Sequence, residues 1–489
     1  MFQKGSEIEV KIEKSVFEGK SIARVNGFVL FVRNVVPGDV VKVKITKVKK
    51  SYAEAELVEI IQESNLRVKP RCKFFGICGG CKWQNLDYNA QIEFKRDHVI
   101  ESFERIGGFK GIDKLVLRTL PSDEIFFYRN KIEFSFSEQR WFPEDETIDL
   151  DESSKNFALG FHPPERYDKV LDIDECFLHS ELSNEILNFT RDYFKSRGIS
   201  IYSSEKNEGY LRFLVIREGK NTGEVMVNLV TFEDNPEIMR EFTEALLSRF
   251  PQITTIVNNI NTRKAQISTG EYEKVYHGNG TIIERLGDFI FQISSNSFFQ
   301  TNTRQAEKLY RKIVEFSNFK PNDVVYDFYS GTGTISIFIS PYVKSVTGLE
   351  IIESAVEDAW RNAELNNVKN CKFIAGDLRE KLYKDKSWMK ETPKPDVIII
   401  DPPRSGMHPD VVKAVAKIQP RKIVYVSCNP TTQARDIKML FEYTPNYEIE
   451  VIQPIDMFPH TYHIENIAVL NLIPSSRKNP IKNKINSST

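Results

Sequence analysis

The pattern of apolar and polar positions divides the chain into regions of different kinds. From residue 1 to about 62, short runs alternate apolar and polar side chains, as strands with one buried face do. Turn signals separate these runs at Gly19, Asn26-Gly27 and Pro37-Gly38. The alternation predicts a compact OB-like β-barrel over residues 1–62.

Residues 63–285 mix two periodicities. The segments "YRNKIEFSF" and "TGEVMVNLVTF" alternate as strands do, whereas "PEIMREFTEALLSRF" repeats its apolar positions at helical spacing. This region is therefore predicted to be a mixed α+β central domain.

A regular alternation of strands and helices runs from residue 286 to 475. The strands are predicted at "DVVYDFYS", "SVTGLEI", "CKFIAGD", "DVIIIDPP" and "KIVYVSCN", with helices such as "SAVEDAWRNAELNN", "HPDVVKAVAKIQ" and "TTQARDIKMLFEY" between them. This order is typical of an α/β, doubly wound, Rossmann-like sheet. Residues 476–489 are polar and basic, which predicts a disordered tail.

Composition narrows the class of protein without naming its partner. The 489 residues are 40% apolar, which is enough for several globular domains. The sequence holds no run of about 18 apolar residues and no signal-peptide core, so we expect a cytoplasmic chain with no membrane segment. A net charge of -1 neither supports nor excludes nucleic-acid binding.

A lysine-rich stretch near the end of the first region has two interpretations. Its lysines precede Tyr52 and are Lys42, Lys44, Lys47, Lys49 and Lys50. They could bind a phosphate backbone, or they could protect an edge strand from pairing with other chains. The sequence favours neither.

Three of the six cysteines lie within ten residues of one another: Cys72, Cys78 and Cys81. In a long cytosolic chain such clustering indicates metal ligation rather than a disulfide framework. Thiolates at this spacing suit zinc or an iron–sulfur cluster, and the spacing leaves both open. Cys371 opens a predicted strand and is expected in the core.

Polar residues follow four successive predicted strands. "DFYSGTGT" (327–334) is a glycine-rich loop that opens a helix, and Glu350, Asp377 and Asp401 end the next three strands. Each acid alone could be a helix cap or turn residue. Because parallel strands share one carboxyl edge, four in order predict one ligand in the crevice above the sheet.

With "DPPRSG", "YVSCNPTTQARD" and "DMFPHTYHIE" added to that order, the chain resembles the RNA uridine C5-methyltransferase family. That family contains tRNA (uracil-5-)-methyltransferases and large-subunit rRNA uracil-C5 methyltransferases. The resemblance covers most of the chain. It implies a TRAM domain at residues 1–62, a central RNA-binding domain at 63–285 and a methyltransferase domain at 286–475.

The resemblance also implies ligands. S-adenosyl-L-methionine is expected over the crevice, with contacts from Gln300, Tyr329, Gly331, Glu350, Asp377 and Asp401. Cys176 is implied as the fourth ligand of a [4Fe-4S] cluster held with Cys72, Cys78 and Cys81.

The chemistry of uracil methylation assigns roles to two residues. C5 of uracil is a poor nucleophile, so a thiolate must add to C6 before C5 can accept a methyl group, and a base must then remove the C5 proton. Cys428 suits the role of the nucleophile, and Glu465 suits the role of the base. The helix N-terminus that follows Cys428 is expected to lower the pKa of its thiol. His460 and His463 are expected to be structural, and Arg404 to contact phosphate or brace its turn.

The sequence thus predicts an RNA (uracil-C5)-methyltransferase. We expect 23S rRNA as the substrate, with tRNA as the alternative, and no obligate protein partner. A non-catalytic RNA-binding or folding factor of the same fold would be expected to lack the Cys or the Glu. A methyltransferase for exocyclic amines would normally carry an aromatic residue where this chain has Arg404.

Overall fold

The computed structural model describes residues 2–16, 19–142 and 156–473. The tail 476–489, for which the sequence predicts disorder, lies outside the described residues. None of the helices in the described ranges has the length and apolar character needed to cross a bilayer.

The first region is an OB-like β-domain of six strands. They are β1 (Glu7–Lys11), β2 (Lys14–Ser15), β3 (Ser21–Val25), β4 (Phe28–Val32), β5 (Val40–Val48) and β6 (Tyr52–Gln62). Their order in the sheet is β1-β5-β6-β4-β3-β2. The inward positions of the alternating pattern form its core, including Leu30, Val41 and Val43, so the predicted barrel-like domain is confirmed.

Part of the lysine-rich stretch is used inside this domain. Lys42 on β5 pairs with Glu7 on β1, and Lys47 pairs with Glu54 on β6. These two lysines therefore neutralise neighbouring strands, which weakens the phosphate-binding interpretation for them.

The central region is built on a mixed eight-stranded sheet. Its strands are β7 (Lys131–Ser137), β8 (Arg140–Trp141), β9 (Ala158–Phe161), β10 (Val170–Asp172), β11 (Leu211–Glu218), β12 (Val225–Thr231), β13 (Thr255–Ile260) and β14 (Tyr272–His277). They lie in the order β14-β13-β12-β11-β7-β9-β10-β8. Two helices, α2 (Glu181–Ser196) and α3 (Pro236–Arg249), pack their apolar stripes on it through Phe194 and Phe242.

The third region is the predicted doubly wound sheet. A hairpin of β15 (Thr281–Leu286) and β16 (Phe289–Ser294) leads into β17 (Val324–Phe328), β18 (Ser345–Glu350), β19 (Cys371–Ala375), β20 (Val397–Ile400), β21 (Lys422–Ser427), β22 (Tyr447–Ile455) and β23 (Glu465–Leu472). The order is β19-β18-β17-β20-β21-β23-β22, in which the first five strands are parallel and β23 is antiparallel to its neighbours.

Helices cover both faces of this sheet. In chain order they are α4 (Thr303–Ser317), α5 (Thr334–Ile339), α6 (Glu353–Leu365), α7 (Leu378–Tyr383), α8 (Ser387–Glu391), α9 (Pro409–Ile418) and α10 (Pro430–Tyr443). The two faces bury separate apolar clusters, and Cys371 lies in one of them, as predicted. The sheet therefore presents a single carboxyl edge on which residues from several strands meet.

A segment N-terminal to the central sheet packs on this third region. Helix α1 (Tyr88–Ser102) buries Val99 among the residues of the doubly wound sheet, followed by a π-helical turn at Phe103–Gly107 and a 3₁₀ turn at Ile112–Lys114. Val116 and Leu120 then bridge to the edge strand β22. The sequence pattern groups these residues with the central domain, but their apolar side chains are buried against the sheet.

Candidate active site

The stretch "SCNP" forms a sharp strand-to-helix junction. Strand β21 ends at Ser427, and α10 begins at Pro430, where the fixed φ of proline suits the first helical turn. Asn429 caps the helix, because its side chain accepts a hydrogen bond from the Thr431 amide. Cys428 is thereby held between strand and helix at the carboxyl edge, partly exposed.

Strand register brings the predicted nucleophile and base together. Ser427 on β21 pairs with Asn466 on β23, and continuing this antiparallel register by one residue places Cys428 opposite Glu465. Asp401 follows β20, the other neighbour of β21. The predicted pair Cys428 and Glu465 therefore share one corner of the edge with Asp401.

The environment of Cys428 differs from the prediction in one respect. Burial raises the pKa of its thiol to about 11, the Glu465 carboxyl adds to that rise, and the Arg404 guanidinium beside the thiol opposes it. The expected lowering by the helix N-terminus is wrong. Cys428 precedes the cap residue and so lies outside the first turn, where the dipole acts most strongly.

Buried carboxyls surround this corner. Burial raises the pKa of Glu465 well above its usual value, and Asp401 raises it further, while Arg404 acts in the opposite direction. Burial also raises the pKa of Asp401 to about 7, with Asp327 contributing. Burial raises the pKa of Asp327 to about 7, although a hydrogen bond from the Ser336 hydroxyl lowers it in part. The site therefore concentrates carboxyl groups whose ionised forms a bound cation would stabilise.

Arg404 is placed by its backbone. Its carbonyl oxygen accepts hydrogen bonds from Asn429 Nδ2 at 3.1 Å and Thr432 Oγ1 at 3.2 Å, which ties the "DPPRSG" loop to α10. Its Nη2 lies 3.5 Å from His463 Nδ1. The guanidinium thus faces the thiol and His463, so Arg404 belongs to the site rather than only bracing a turn.

His463 is poorly suited to act as a base. Burial lowers its pKa to about 3, and the nearby Arg404 guanidinium lowers it further. The ring is therefore neutral at physiological pH and a weak proton acceptor, consistent with the structural role predicted for it.

Glu350 is preorganised at the end of β18. Its two carboxylate oxygens each accept a backbone N–H at 3.0 Å, from Gly331 in the glycine-rich loop and from Ile352. Gly331 has a φ of +53°, a left-handed conformation that glycine adopts without strain. These bonds fix the carboxylate beside the loop, where it can accept hydrogen bonds from a ribose diol.

A cavity of about 500 Å³ adjoins this loop. Among the residues that line it are Tyr329, Gly376, Asp377 and Pro403. Asp377 also caps α7 by accepting a hydrogen bond from the Arg379 amide, and it pairs with the Arg379 guanidinium. This predicted cofactor residue thus lies at the cavity while its carboxylate already has partners on its own helix.

Gln300 lies in the segment before α4. The side chain of Asn130, just before β7 in the central region, donates to the Gln300 carbonyl at 2.8 Å, and the Asn130 amide donates to the Thr301 carbonyl at 2.8 Å. The segment is therefore fastened to the central sheet through the backbone of Gln300 and Thr301.

A second cavity, also of about 500 Å³, lies against the central sheet. All four predicted ligand cysteines line it: Cys72, Cys78, Cys81 and Cys176. Burial raises the pKa of Cys78 to about 12, and Cys176 and Cys72 add to that rise, which reflects how close the thiols are. Within the described ranges, no three His, Cys, Asp or Glu side chains are arranged to bind a single metal ion.

Two contributors to the site escaped the sequence analysis. From the sequence alone, Asp327 is only one residue of the glycine-rich loop, although its buried carboxyl raises the pKa of Asp401. The proximity of Arg404 to the thiol was not foreseen either. A charged residue directly after Asp-Pro-Pro was the available signal, but its direction depends on contacts with α10.

Comparisons with known proteins find similar sequences along most of the chain. A sequence profile described as a TRAM domain matches residues 2–58, and one described as tRNA (Uracil-5-)-methyltransferase matches residues 222–472. An uncharacterized RNA methyltransferase of Chlorobaculum tepidum is 43% identical over 472 residues, covering 96% of each chain. Another from Bacteroides thetaiotaomicron is 41% identical over 458 residues, which is 93% of this chain and 99% of that one.

One solved structure is similar over nearly the whole length. It is the Pyrococcus abyssi tRNA (uracil-54, C5)-methyltransferase in complex with S-adenosyl-L-homocysteine. It is 34% identical with a TM-score of 0.72, and the match covers 95% of this chain and 100% of that chain.

Proposed function

Because the chain belongs to the tRNA (uracil-5-)-methyltransferase family and is an S-adenosyl-L-methionine-dependent RNA methyltransferase, we propose that it forms 5-methyluridine through Cys428 and Glu465. The observation that carries this proposal is the strand register that sets the thiol and the carboxyl opposite each other. Side chains of directly opposed residues on antiparallel strands lie next to each other, close enough to act on adjacent carbons of one uracil ring.

The reaction divides between these two side chains. Cys428 Sγ adds to C6, and the electron pair displaced from the C5–C6 double bond makes C5 enolate-like. C5 then attacks the sulfonium methyl group, and the methyl–sulfur bond breaks so that S-adenosyl-L-homocysteine leaves. Glu465 takes the proton from C5, and the electron pair of that bond restores the C5–C6 double bond and expels Cys428 as a thiolate. The high pKa of Glu465 makes its carboxylate a strong base once it is ionised. Arg404 stabilises the thiolate, since its charge opposes the rise in the pKa of Cys428.

The crevice fits the methyl donor. Bound S-adenosyl-L-methionine supplies a sulfonium methyl group and a positive charge. The preorganised Glu350 carboxylate suits its ribose, and Tyr329 and Asp377 line a cavity that suits its base. We propose that Gln300, Gly331 and Asp401 complete the site.

Replacing each catalytic residue should give opposite results on a denaturing gel. Cys428→Ala should bind RNA but form no adduct and no product. Glu465→Gln should add, transfer the methyl group and then remain covalently bound to RNA, because the C5 proton stays in place. Cys371→Ala removes a buried core thiol at the start of β19 rather than at its carboxyl end; it is the matched control and should retain turnover. Near-normal turnover by Cys428→Ala would rule out the mechanism.

We propose 23S rRNA as the substrate, supported by a TRAM domain together with a four-cysteine site. The likeness to a tRNA enzyme across 95% of this chain supports tRNA as the second candidate. Mapping 5-methyluridine in both RNAs from a deletion strain separates them: the substrate is the RNA that loses its modification.

We propose that the four cysteines hold a [4Fe-4S] cluster. A single zinc ion needs its ligands to converge on one point, whereas each iron of a cluster takes its own thiolate, so the thiols need only line one cavity. Anaerobically purified protein should contain about four irons with matching labile sulfide. Replacing Cys176 should remove iron as effectively as replacing Cys78. Stoichiometric zinc without labile sulfide would contradict the cluster.

A further inference from the structure

The loop that leads into Glu465 is fastened to the cysteine-bearing segment at His460. This loop, residues 456–464, joins β22 to β23 and will be called the base loop. His460 is buried and has a φ of +64°, a left-handed conformation that non-glycine residues hold only when their surroundings enforce it. Contacts from neighbouring segments should therefore hold His460 in this backbone conformation.

Two backbone amides directly after Cys81 supply one such contact. The N–H groups of Lys82 and Trp83 both donate to the His460 carbonyl, at 2.9 and 3.0 Å. A carbonyl that accepts two donors from consecutive residues is fixed in direction as well as position. The conformation of the chain after Cys81 thus determines where His460 lies.

Gln91, buried on α1, supplies the second. Its Oε1 accepts the His460 amide at 2.9 Å, and its Nε2 lies 3.2 Å from His460 Nδ1. The same Nε2 donates to the carbonyls of Trp83 and Leu86 at 2.9 Å. One amide side chain therefore bonds to both the cysteine segment and the base loop.

Further contacts surround the same point. The Phe126 ring stacks on His460 with centroids 4.4 Å apart, and the Tyr128 hydroxyl donates to the Pro459 carbonyl at 3.0 Å. Earlier in the loop, Lys95 on α1 forms a fully buried ion pair with Asp456. The base loop is thus held by side chains of α1 and of the segment before β7, in addition to hydrogen bonds within the loop such as that from Thr461 to the Phe458 carbonyl.

The far end of the base loop reaches the chemistry. His463 lies beside Arg404, whose guanidinium faces the Cys428 thiol, and Glu465 follows two residues later. Glu465 is also paired with Ile455 on β22, so a shift of His460 would reach it through residues 461–464, which join directly to its backbone. The thiol itself is placed independently, by β21 and α10.

We propose that Gln91 and the segment after Cys81 are positioning elements for the base Glu465. The conformation of the cysteine site then controls removal of the proton from C5, and does not control addition of the Cys428 thiol to C6. This rests on the proposed function, in which Glu465 removes that proton. Gln91 touches no reacting atom and acts only through His460.

The test uses Gln91→Leu, which keeps the bulk of the side chain and removes its hydrogen bonds. The matched control is Asn258→Leu, a buried amide of the central sheet that donates to Leu229 and Thr231 and contacts no part of the base loop. With unmodified RNA, Gln91→Leu should accumulate methylated covalent adduct severalfold above wild type. Deuterium at C5 of the target uridine should slow this variant severalfold more than it slows wild type. Asn258→Leu should show neither effect.

Tyr128→Phe is a second test variant in case Gln91→Leu does not fold. It removes one hydrogen bond to the base loop and leaves the volume of the side chain nearly unchanged. It should show the same isotope effect to a smaller degree. Hydrogen exchange gives a readout apart from activity: amides of residues 456–464 should exchange faster in Gln91→Leu and in Cys81→Ser than in Asn258→Leu.

The outcomes separate this proposal from the proposed function. If wild type forms no adduct with 5-fluorouridine RNA, the proposed mechanism fails. If wild type is trapped normally but Gln91→Leu and Tyr128→Phe lose activity without adduct accumulation or a larger isotope effect, the positioning role is refuted. Unchanged exchange of the base loop in Cys81→Ser would refute the link to the cysteine site.

Discussion

Binding of the methyl donor should release a proton, because the proposed site sets its sulfonium charge beside buried acids. Burial raises the pKa of both Asp327 and Asp401 to about 7. A cation nearby favours their ionised forms and lowers those pKa values. By linkage, the cation binds more tightly above the original pKa and more weakly below it.

The magnitude follows from the size of the shift. A carboxyl with a pKa near 7 is about nine-tenths protonated near pH 6 and about one-tenth protonated near pH 8. If the complex requires one ionised carboxylate, affinity should rise about tenfold over that range, or about 1.4 kcal/mol. Because Asp327 raises the pKa of Asp401, the two titrate as a coupled pair, and we expect one proton rather than two.

Titration calorimetry of S-adenosyl-L-methionine in buffers of different ionisation enthalpy measures both the affinity and the protons released. S-adenosyl-L-homocysteine is the matched control, since it has the same amino-acid and adenosine groups but a neutral sulfur. Its affinity should change much less with pH. Asp401→Asn should flatten the dependence for the methyl donor. Equal pH dependence for the two ligands would refute the placement of the sulfonium beside these acids.

Three further results are expected. Glu350→Ala should weaken binding of the methyl donor by roughly 10-fold or more, since charge-assisted hydrogen bonds contribute about 1.5–3 kcal/mol. Unchanged affinity in calorimetry would exclude the proposed contact between Glu350 and the ribose of the methyl donor. Alkylation of Cys428 by iodoacetamide should be slow at neutral pH and accelerate toward pH 11, because burial raises the thiol's pKa to about 11. Arg404→Ala should slow it further at any given pH, and faster alkylation would contradict the charge argument. Lys95→Ala should lower the free energy of unfolding by about 3–5 kcal/mol in urea titrations, because it leaves the Asp456 carboxylate buried without its cation. A change below about 1 kcal/mol would show that the ion pair contributes little to stability.

The sequence by itself determined the elements of this protein and the identity of its chemistry. Alternation with period two predicted the N-terminal strands, and strand–helix repetition predicted the parallel sheet from "DVVYDFYS" to "KIVYVSCN". These patterns are readable because each element must bury one face, and neighbours in sequence decide which face that is. Cys428 and Glu465 could be selected because uracil chemistry needs two such groups.

Tertiary structure alone decided the properties that depend on residues distant in the chain. The pKa of Cys428 is raised because burial and the Glu465 carboxyl outweigh the Arg404 guanidinium. Arg404 lies beside His463, and Lys95 on α1 forms a buried ion pair with Asp456 of the base loop. Burial and charge act through space in a low-dielectric interior, so a local pattern cannot reveal their balance.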